Sequence, residues 1–189
     1  MSDNAEINHL LIRISEGDKN ALEELWTAMK DGLYSFILSY IRDKQLAEDA
    51  LQETFIAIYK SAGKFKKGTN ARAWIFTIAR YSAISLLRKQ KEEVYELDET
   101  ADISDGSDFE RRTEQKDELD RLLDSLDEAS RRILLMHAVN DLKHIEIAKI
   151  LSLPVGTVYR KYSQGIKKLN RLYFTPNIEE VRSWIKMKS

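Results

Sequence analysis

The sequence predicts an all-α protein of two helical domains joined by a flexible acidic linker, and three observations carry that reading. Apolar residues recur every three to four positions along most of the 189 residues, the period of helices with one buried face. Only two prolines and seven glycines are present, too few for a turn-rich β architecture. One segment, 92–113, breaks the period; it is rich in Glu, Asp, Ser and Thr and offers too little apolar surface to offset the entropy of ordering it.

The first domain, 1–91, is built from four helical segments. Asn4–Ser15 carries the stripe Ile7, Leu10, Leu11 and Ile14, stopped at Gly17-Asp18. A long second helix turns Ala21, Leu22, Leu25, Met29, Leu33, Phe36, Ile37, Tyr40 and Ile41 inward. A third, from about Gln45 to Ser61, buries Leu46, Ala50, Leu51, Phe55 and Ile58. Phe65 to Asn70 is a basic loop, and Asn70 is placed to cap the next helix, Ala71 to about Lys89. In that helix Trp74, Ile75, Ile78 and Ala79 are expected in the core, and Arg72, Arg80, Tyr81, Ser85 and Arg88 outside. Four such faces suffice for one compact bundle.

The second domain, 114–173, opens with Leu119, Leu122, Leu123 and Leu126, followed by Ile133, Leu134, Met136 and His137. Its last part is the most informative stretch of the chain. Leu142, Ile145, Ala148 and Leu151 recur at helical spacing, with Ile147 and Ile150 widening the face. Ser152-Leu153-Pro154 ends that helix, because proline has no N–H to donate. Gly156 and Thr157 open another, with Val158, Tyr162, Ile166 and Leu169 inward and Thr157, Tyr159, Arg160, Lys161, Ser163, Gln164, Lys167 and Lys168 largely outward. A short helix, a tight corner and a basic helix make a helix-turn-helix, whose second helix fits a DNA major groove. Gly165 either permits a close backbone approach or weakens the helix by about 1 kcal/mol relative to alanine. Residues 174–189 form an amphipathic tail, with Trp184 expected to pack onto the second domain.

Charge is segregated along the chain. The net charge is only −1, yet residues 61–91 contain eight Lys and Arg and no acid, 92–128 contain sixteen acids against four bases, and 129–189 contain twelve bases against four acids. Two basic blocks around an acidic one point to two nucleic-acid surfaces, since phosphate affinity follows local charge. No cysteine is present, which excludes a disulfide framework and a thiolate metal site and fits a reducing cytoplasm. There is no charged-then-apolar leader and no apolar run near 18 residues, so neither export nor membrane insertion is expected. His9, His137 and His144 are scattered and show no metal-ligand spacing, and no Gly-rich phosphate loop or nucleophile signature occurs. No cofactor, no metal and no enzymatic activity are expected.

Three segments in order resemble the extracytoplasmic-function (ECF) group of sigma-70-type sigma factors. Ala47-Glu48-Asp49-Ala50-Leu51-Gln52-Glu53-Thr54-Phe55 is similar to the family's AEDLxQExF signature, with Ala50 in place of leucine. Ala73-Trp74-Ile75-Phe76-Thr77-Ile78-Ala79-Arg80, followed by Leu86-Leu87-Arg88-Lys89, is similar to its WLxxIARN…D…R pattern, with Tyr81 where Asn is common and Ser85 where Asp is common. Leu126-Asp127-Glu128, Arg131, Glu146-Ile147-Ala148 and Gly156-Thr157-Val158 are similar to its region 4 pattern. The resemblance covers about residues 5–172.

The resemblance implies a sigma factor: region 2 in 1–91, an acidic linker passing into the polymerase's RNA path, and region 4 in 114–173. Asp49, Gln52 and Glu53, at i, i+3 and i+4, share one helix face. In the family that face docks the β′ clamp helices of core RNA polymerase, and the β flap is the second polymerase partner implied. Lys66, Asn70, Arg80, Tyr81 and Arg88 would hold the melted −10 element of promoter DNA, where cations along a strand and aromatic or polar pockets for unstacked bases are needed. Thr157, Tyr159, Arg160, Lys161 and Gln164 would read the −35 duplex; Gln164 is suited to adenine, and Arg160 or Lys161 to guanine. An anti-sigma factor is the expected regulatory partner. The alternative is a helix-turn-helix regulator that binds duplex DNA without being a polymerase subunit, which leaves Asp49–Phe55 and the basic 61–91 block without a purpose.

Overall fold

The computed structural model describes residues 3–97 and 124–173. Among these, all regular structure is helical: α1 (Asp3–Ser15), α2 (Lys19–Ile41), α3 (Lys44–Ser61) with a 3₁₀ turn at Ala62–Lys64, α4 (Ala71–Leu97), α5 (Glu128–Leu134) continued by a π-helical turn at Leu135–Val139, α6 (His144–Leu151) and α7 (Val155–Tyr173). The Leu119, Leu122 and Leu123 stripe, most of the acidic linker and the tail with Trp184 lie outside the described residues. No helix among the described residues is long and apolar enough to cross a membrane.

Local chemistry sets the boundaries. Asp18 caps α2 by accepting the amides of Asn20 and Ala21 at 2.9 and 3.3 Å, and Gly17 makes the preceding turn at φ +92°. Arg13 grips the same carboxylate at 2.7 Å and Glu24 at 3.0 Å, so the α1–α2 corner is pinned from both sides. Asp43 caps α3 through Leu46 N–H at 2.9 Å, and Asn70 caps α4 through Ala73 N–H at 3.1 Å, as expected from sequence. Helix α4 continues past the expected end near Lys89 to Leu97. Glutamate and leucine favour helix, and Arg88 pairs with Glu92 one turn on at 3.6 Å, so acidic composition there does not stop the helix.

The bundle of α1–α4 closes around Phe36, which meets Phe76 edge-on at 5.0 Å, and around Leu25, Met29, Leu33, Ile37, Ile58 and Ile75, all fully buried. Burying such side chains contributes about 1.5–3 kcal/mol each. Trp26 packs on Phe55 at 4.6 Å, and Trp74 on Phe65 at 5.4 Å, which anchors the basic loop to α4. Arg72, expected outside, is instead 7% exposed. It sits in the first turn of α4, where α1 arrives to place Asn4 Oδ1 3.4 Å from its amide, so its aliphatic stem is covered by a neighbour the local sequence does not announce.

Residues 124–173 have a small core of their own, Leu126, Leu134 and Leu169 with Tyr162 and Ile166. Their larger apolar face, Ile133, Met136, Leu142, Ile147 and Ile150, is continuous with the bundle core. The two domains are therefore packed together through α5 and its π-helical turn on α2, and through α6 on α4.

Candidate nucleic-acid and polymerase interfaces

Helix α3 separates its faces cleanly. Ala47, Ala50, Leu51, Thr54, Phe55 and Ile58 are buried, while Asp49, Gln52 and Glu53 are exposed on one ridge. The ridge continues into Ile56 and Tyr59, 44% and 43% exposed, which sequence reasoning missed. The signal that could have found them is their spacing: Gln52, Ile56 and Tyr59 recur at i, i+4 and i+7, out of phase with the buried set.

On α4 the exposed residues Tyr81, Ile84, Ser85 and Arg88 recur at i, i+3, i+4 and i+7 and form one face. Tyr81 is 64% exposed and Ile84 39%, and Ile84 is the member of this face that sequence reasoning missed. Lys66 is exposed on the loop. Arg80 is half-buried beside Tyr40, whose hydroxyl is pushed up by burial and drawn back by Arg132 and Arg80. Asn70 is half-buried and doubly engaged: its Oδ1 caps α4, and its Nδ2 donates to Glu146 Oε1 at 2.6 Å, 76 residues away on α6.

The helix-turn-helix is formed by α6 and α7. Glu146 closes the N-terminus of α6 by accepting the Lys143 amide at 2.8 Å. Ile145, expected on the inner face, is 56% exposed; Leu142, Ile147, Ala148 and Ile150 fill that face instead. The corner is made by Ser152 in the left-handed conformation (φ 57°), with Leu153 N–H returning to Ala148 O at 2.9 Å. Pro154 opens α7 rather than closing α6, its carbonyl accepting from Thr157 at 2.9 Å and Val158 at 3.2 Å. Gly165 is buried, and a Cβ there would stand 2.8 Å from Leu134 Cδ1, so the residue serves the close approach of α7 to α5.

Along α7, Tyr159, Arg160, Ser163, Gln164 and Lys167 are exposed, with Thr157 half-buried. Arg160 and Gln164 lie one turn apart on the same face. Lys161 does not join them: its Nζ is 2.8 Å from Asp127 Oδ1. Asp127 caps α5 through Ser130 N–H at 3.2 Å and also accepts the Ser130 hydroxyl at 2.7 Å. Partial burial works against ionisation of Asp127, but Lys161 and Ser130 outweigh it and hold the carboxyl at about 2. Lys168 donates to the Ser125 carbonyl. His137 and His144, seven positions apart in the sequence, come together with ring centroids 4.4 Å apart, and Tyr159 stacks on His144 at 4.4 Å. Burial, with His137 beside it, holds His144 below the ordinary histidine value. Among the described residues no group of three or more His, Asp or Glu is placed to hold a metal.

A helical bundle presenting a basic, aromatic face, packed against a helix-turn-helix with a polar outer face, defines a two-domain DNA-binding protein of the transcription machinery. Residues 25–93 match Sigma-70 region 2 and residues 116–169 match Sigma-70, region 4. The chain is 26% identical over 172 residues to the ECF RNA polymerase sigma factor SigW of Bacillus subtilis, covering 84% of this chain and 92% of SigW. It is 27% identical over 159 residues to SigM of the same organism (80% and 94% covered), and 26% identical over 172 residues to RNA polymerase sigma factor CarQ of Myxococcus xanthus (90% and 99%). Its fold is similar to that of CnrH, solved in complex with the cytosolic domain of CnrY (TM-score 0.62, 20% identity, 91% of this chain and 99% of that one). It is also similar to RpoE of Bartonella quintana, solved in complex with the anti-sigma factor NepR (TM-score 0.62, 22% identity, 82% and 98%). The chain belongs to the sigma-70 family, in its ECF subfamily, and is an RNA polymerase sigma factor.

Proposed function

We propose that the chain docks core RNA polymerase through Asp49, Gln52 and Glu53, opens promoter DNA at −10 with region 2, and reads duplex DNA at −35 with α7. The observation that carries this reading is the exposed acidic ridge of α3 on the same molecule as two faces suited to nucleic acid. A regulator that only binds duplex DNA has no use for that ridge. Ile56 and Tyr59 extend it with apolar surface, as an interface with a polar rim requires.

At −10, Tyr81 and Ile84 offer stacking and apolar contact to unpaired bases, and Arg88 and Lys66 take the phosphates. Arg80 acts from the edge of this face, beside Tyr40, and Asn70 joins once its amide is released. At −35, Arg160 and Gln164 read base edges, Thr157 and Tyr159 flank them, and the Asp127 carboxylate holds Lys161 back from the phosphates. The β′ clamp helices and the β flap are the polymerase elements engaged by α3 and by region 4. The chain makes no bonds itself; polymerase does, and the complex works in the cytoplasm. Control rests with an anti-sigma factor that covers these faces, in keeping with the complexes in which CnrH and RpoE were solved.

In vitro transcription from a promoter library, with core polymerase and with or without this chain, tests the reading. Promoter-specific transcripts that require the chain are expected. Duplex binding that is indifferent to core polymerase, with no transcript gained, overturns it.

A further inference from the structure

We infer that Tyr159, held flat by His144, reads a thymine 5-methyl group in the −35 duplex, with His144 as its positioning residue. The inference rests on the −35 assignment proposed above and names what one of its residues recognises. Tyr159 lies in the first turns of α7, the part of a recognition helix that meets base edges. Its ring is apolar and 56% of the residue is exposed, in a run that is otherwise polar and basic. Val155, one turn earlier on the same face of α7, is 39% exposed. The two form an apolar strip, next in helical order to the polar strip of Arg160 and Gln164. Base edges in the major groove offer hydrogen-bonding groups and one apolar group, the thymine methyl, so that is what such a strip fits.

An exposed side chain ordinarily keeps its rotamer freedom and loses it on binding. Tyr159 has given it up beforehand. The His144 ring lies parallel to it, with 9° between the planes and 4.4 Å between centroids. His144 is itself fixed: the Tyr162 ring meets it edge-on at 4.8 Å, and the His137 ring lies 4.4 Å away. His137 is anchored in turn, its Nδ1–H donating to Leu142 O at 2.8 Å and its ring meeting Tyr162 edge-on at 4.8 Å. Three elements thus converge beneath Tyr159: the π-helical turn after α5, the start of α6, and α7.

His144 acts through its ring face rather than through a hydrogen bond at its tip. Its Nε2 is buried and has no hydrogen-bond partner among the described residues. Burial and the neighbouring His137 keep the ring neutral at pH 7, so it stacks on Tyr159 without a charge to solvate. Phenylalanine reproduces the flat ring and removes only the nitrogens, which supplies a conservative variant.

The test uses holoenzyme assembled from core polymerase and the full-length chain, on the most active promoter of the library described above. Each thymine of the −35 element is replaced singly by deoxyuridine, which pairs identically and lacks only the methyl group. Run-off transcription at limiting holoenzyme gives a thymine-to-uracil ratio at each position. For the parent, one or two positions should give a ratio of about four, the worth of one buried methyl group. Tyr159→Ala should abolish that preference, His144→Ala should abolish most of it, and His144→Phe should keep it. A His144 that only supports the fold would lower transcription from both templates alike and leave the ratio unchanged. Tyr159 is exposed, so its replacement folds whether or not His144→Ala does. A parental ratio retained in Tyr159→Ala, with both templates lowered alike, overturns the inference and gives the tyrosine to a phosphate or to polymerase. A parental ratio retained in folded His144→Ala overturns the positioning role. Chain-dependent transcripts with no methyl-dependent position keep the sigma reading and overturn this inference alone; no chain-dependent transcript from any promoter overturns both.

Discussion

Replacing Asp127 by asparagine isolates one charge that ties the recognition helix to the rest of region 4. The carboxylate caps α5 through Ser130 and holds Lys161 of α7 at 2.8 Å. Asparagine is as good a cap as aspartate, so Asp127→Asn removes the ion pair and spares the cap, whereas Asp127→Ala removes both. A carboxyl held at about 2 against 3.8 in the unfolded chain corresponds to at most about 2.4 kcal/mol, at about 1.36 kcal/mol per pH unit. The Asp127 side chain is 50% exposed, so solvent screening reduces this to about 1 kcal/mol. Asp127→Asn should therefore melt about 2–4 °C below the parent at pH 7, and Asp127→Ala about twice as far below. The folded-state value is depressed, so this contribution is fully present above about pH 4 and is lost as pH falls through about 2. Thermal melts followed by circular dichroism from pH 7 to pH 2 should show the parent and Asp127→Asn converging at the acid end. The same variant frees the Lys161 ammonium, so duplex affinity should rise for all sequences and the salt slope steepen by about 0.9. Equal melting of parent and Asp127→Asn at pH 7, with parallel curves down to pH 2, would refute the assignment.

Other consequences are as direct. Charge reversal at Asp49 and Glu53, both exposed, should abolish co-purification with core polymerase while leaving helicity unchanged; retained affinity removes α3 from the interface. Arg160→Ala should lose about 1–3 kcal/mol of preference at one or two −35 positions in a promoter-library readout, while Lys167→Ala lowers affinity for every sequence alike. Tyr81→Ala should weaken open-complex formation, read as permanganate reactivity of thymines near the start site, with little change in melting temperature, because Tyr81 is 64% exposed. His144, held below its usual 6.5 by burial and by His137, with Tyr159 and Tyr162 against its ring, resists protonation in the folded state. Stability should thus be full above about pH 6.5 and fall as pH drops through the depressed value, and His144→Phe should flatten that slope in urea titrations.

Helix positions and most inward residues are legible in the sequence because one-sided periodicity depends only on neighbours a turn away. Asp18, Asp43 and Asn70 cap their helices for the same reason: a cap is settled within three residues. What the sequence does not reveal depends on residues brought from afar. Arg72 is buried because α1 returns to the start of α4. Lys161 is committed to Asp127, 34 positions earlier, and nothing in the run Tyr159-Arg160-Lys161 distinguishes it from Arg160. Ile145 and Ile147 differ by half a turn in phase, and only the packing of α6 on α4 decides which is covered. The packing of one domain on the other is equally hidden, since an acidic linker in the sequence reads as separation.

The length of α4 has a geometric consequence. From Ala71 to Leu97 it runs 27 residues, about 40 Å at about 1.5 Å per residue, so the chain leaves the first domain far from the −10 loop. The 26 residues between Leu97 and Asp124 can reach at most about 94 Å end to end, whatever their path. Beyond its DNA-facing residues, α4 is therefore an outrigger that sets where the chain leaves the first domain and in which direction. Losing a residue from 98–123 shortens the greatest possible reach by about 3.6 Å. Losing one from the end of α4 also turns the departure point by about 100° around the helix axis, and so changes the side of the molecule from which region 4 is let out.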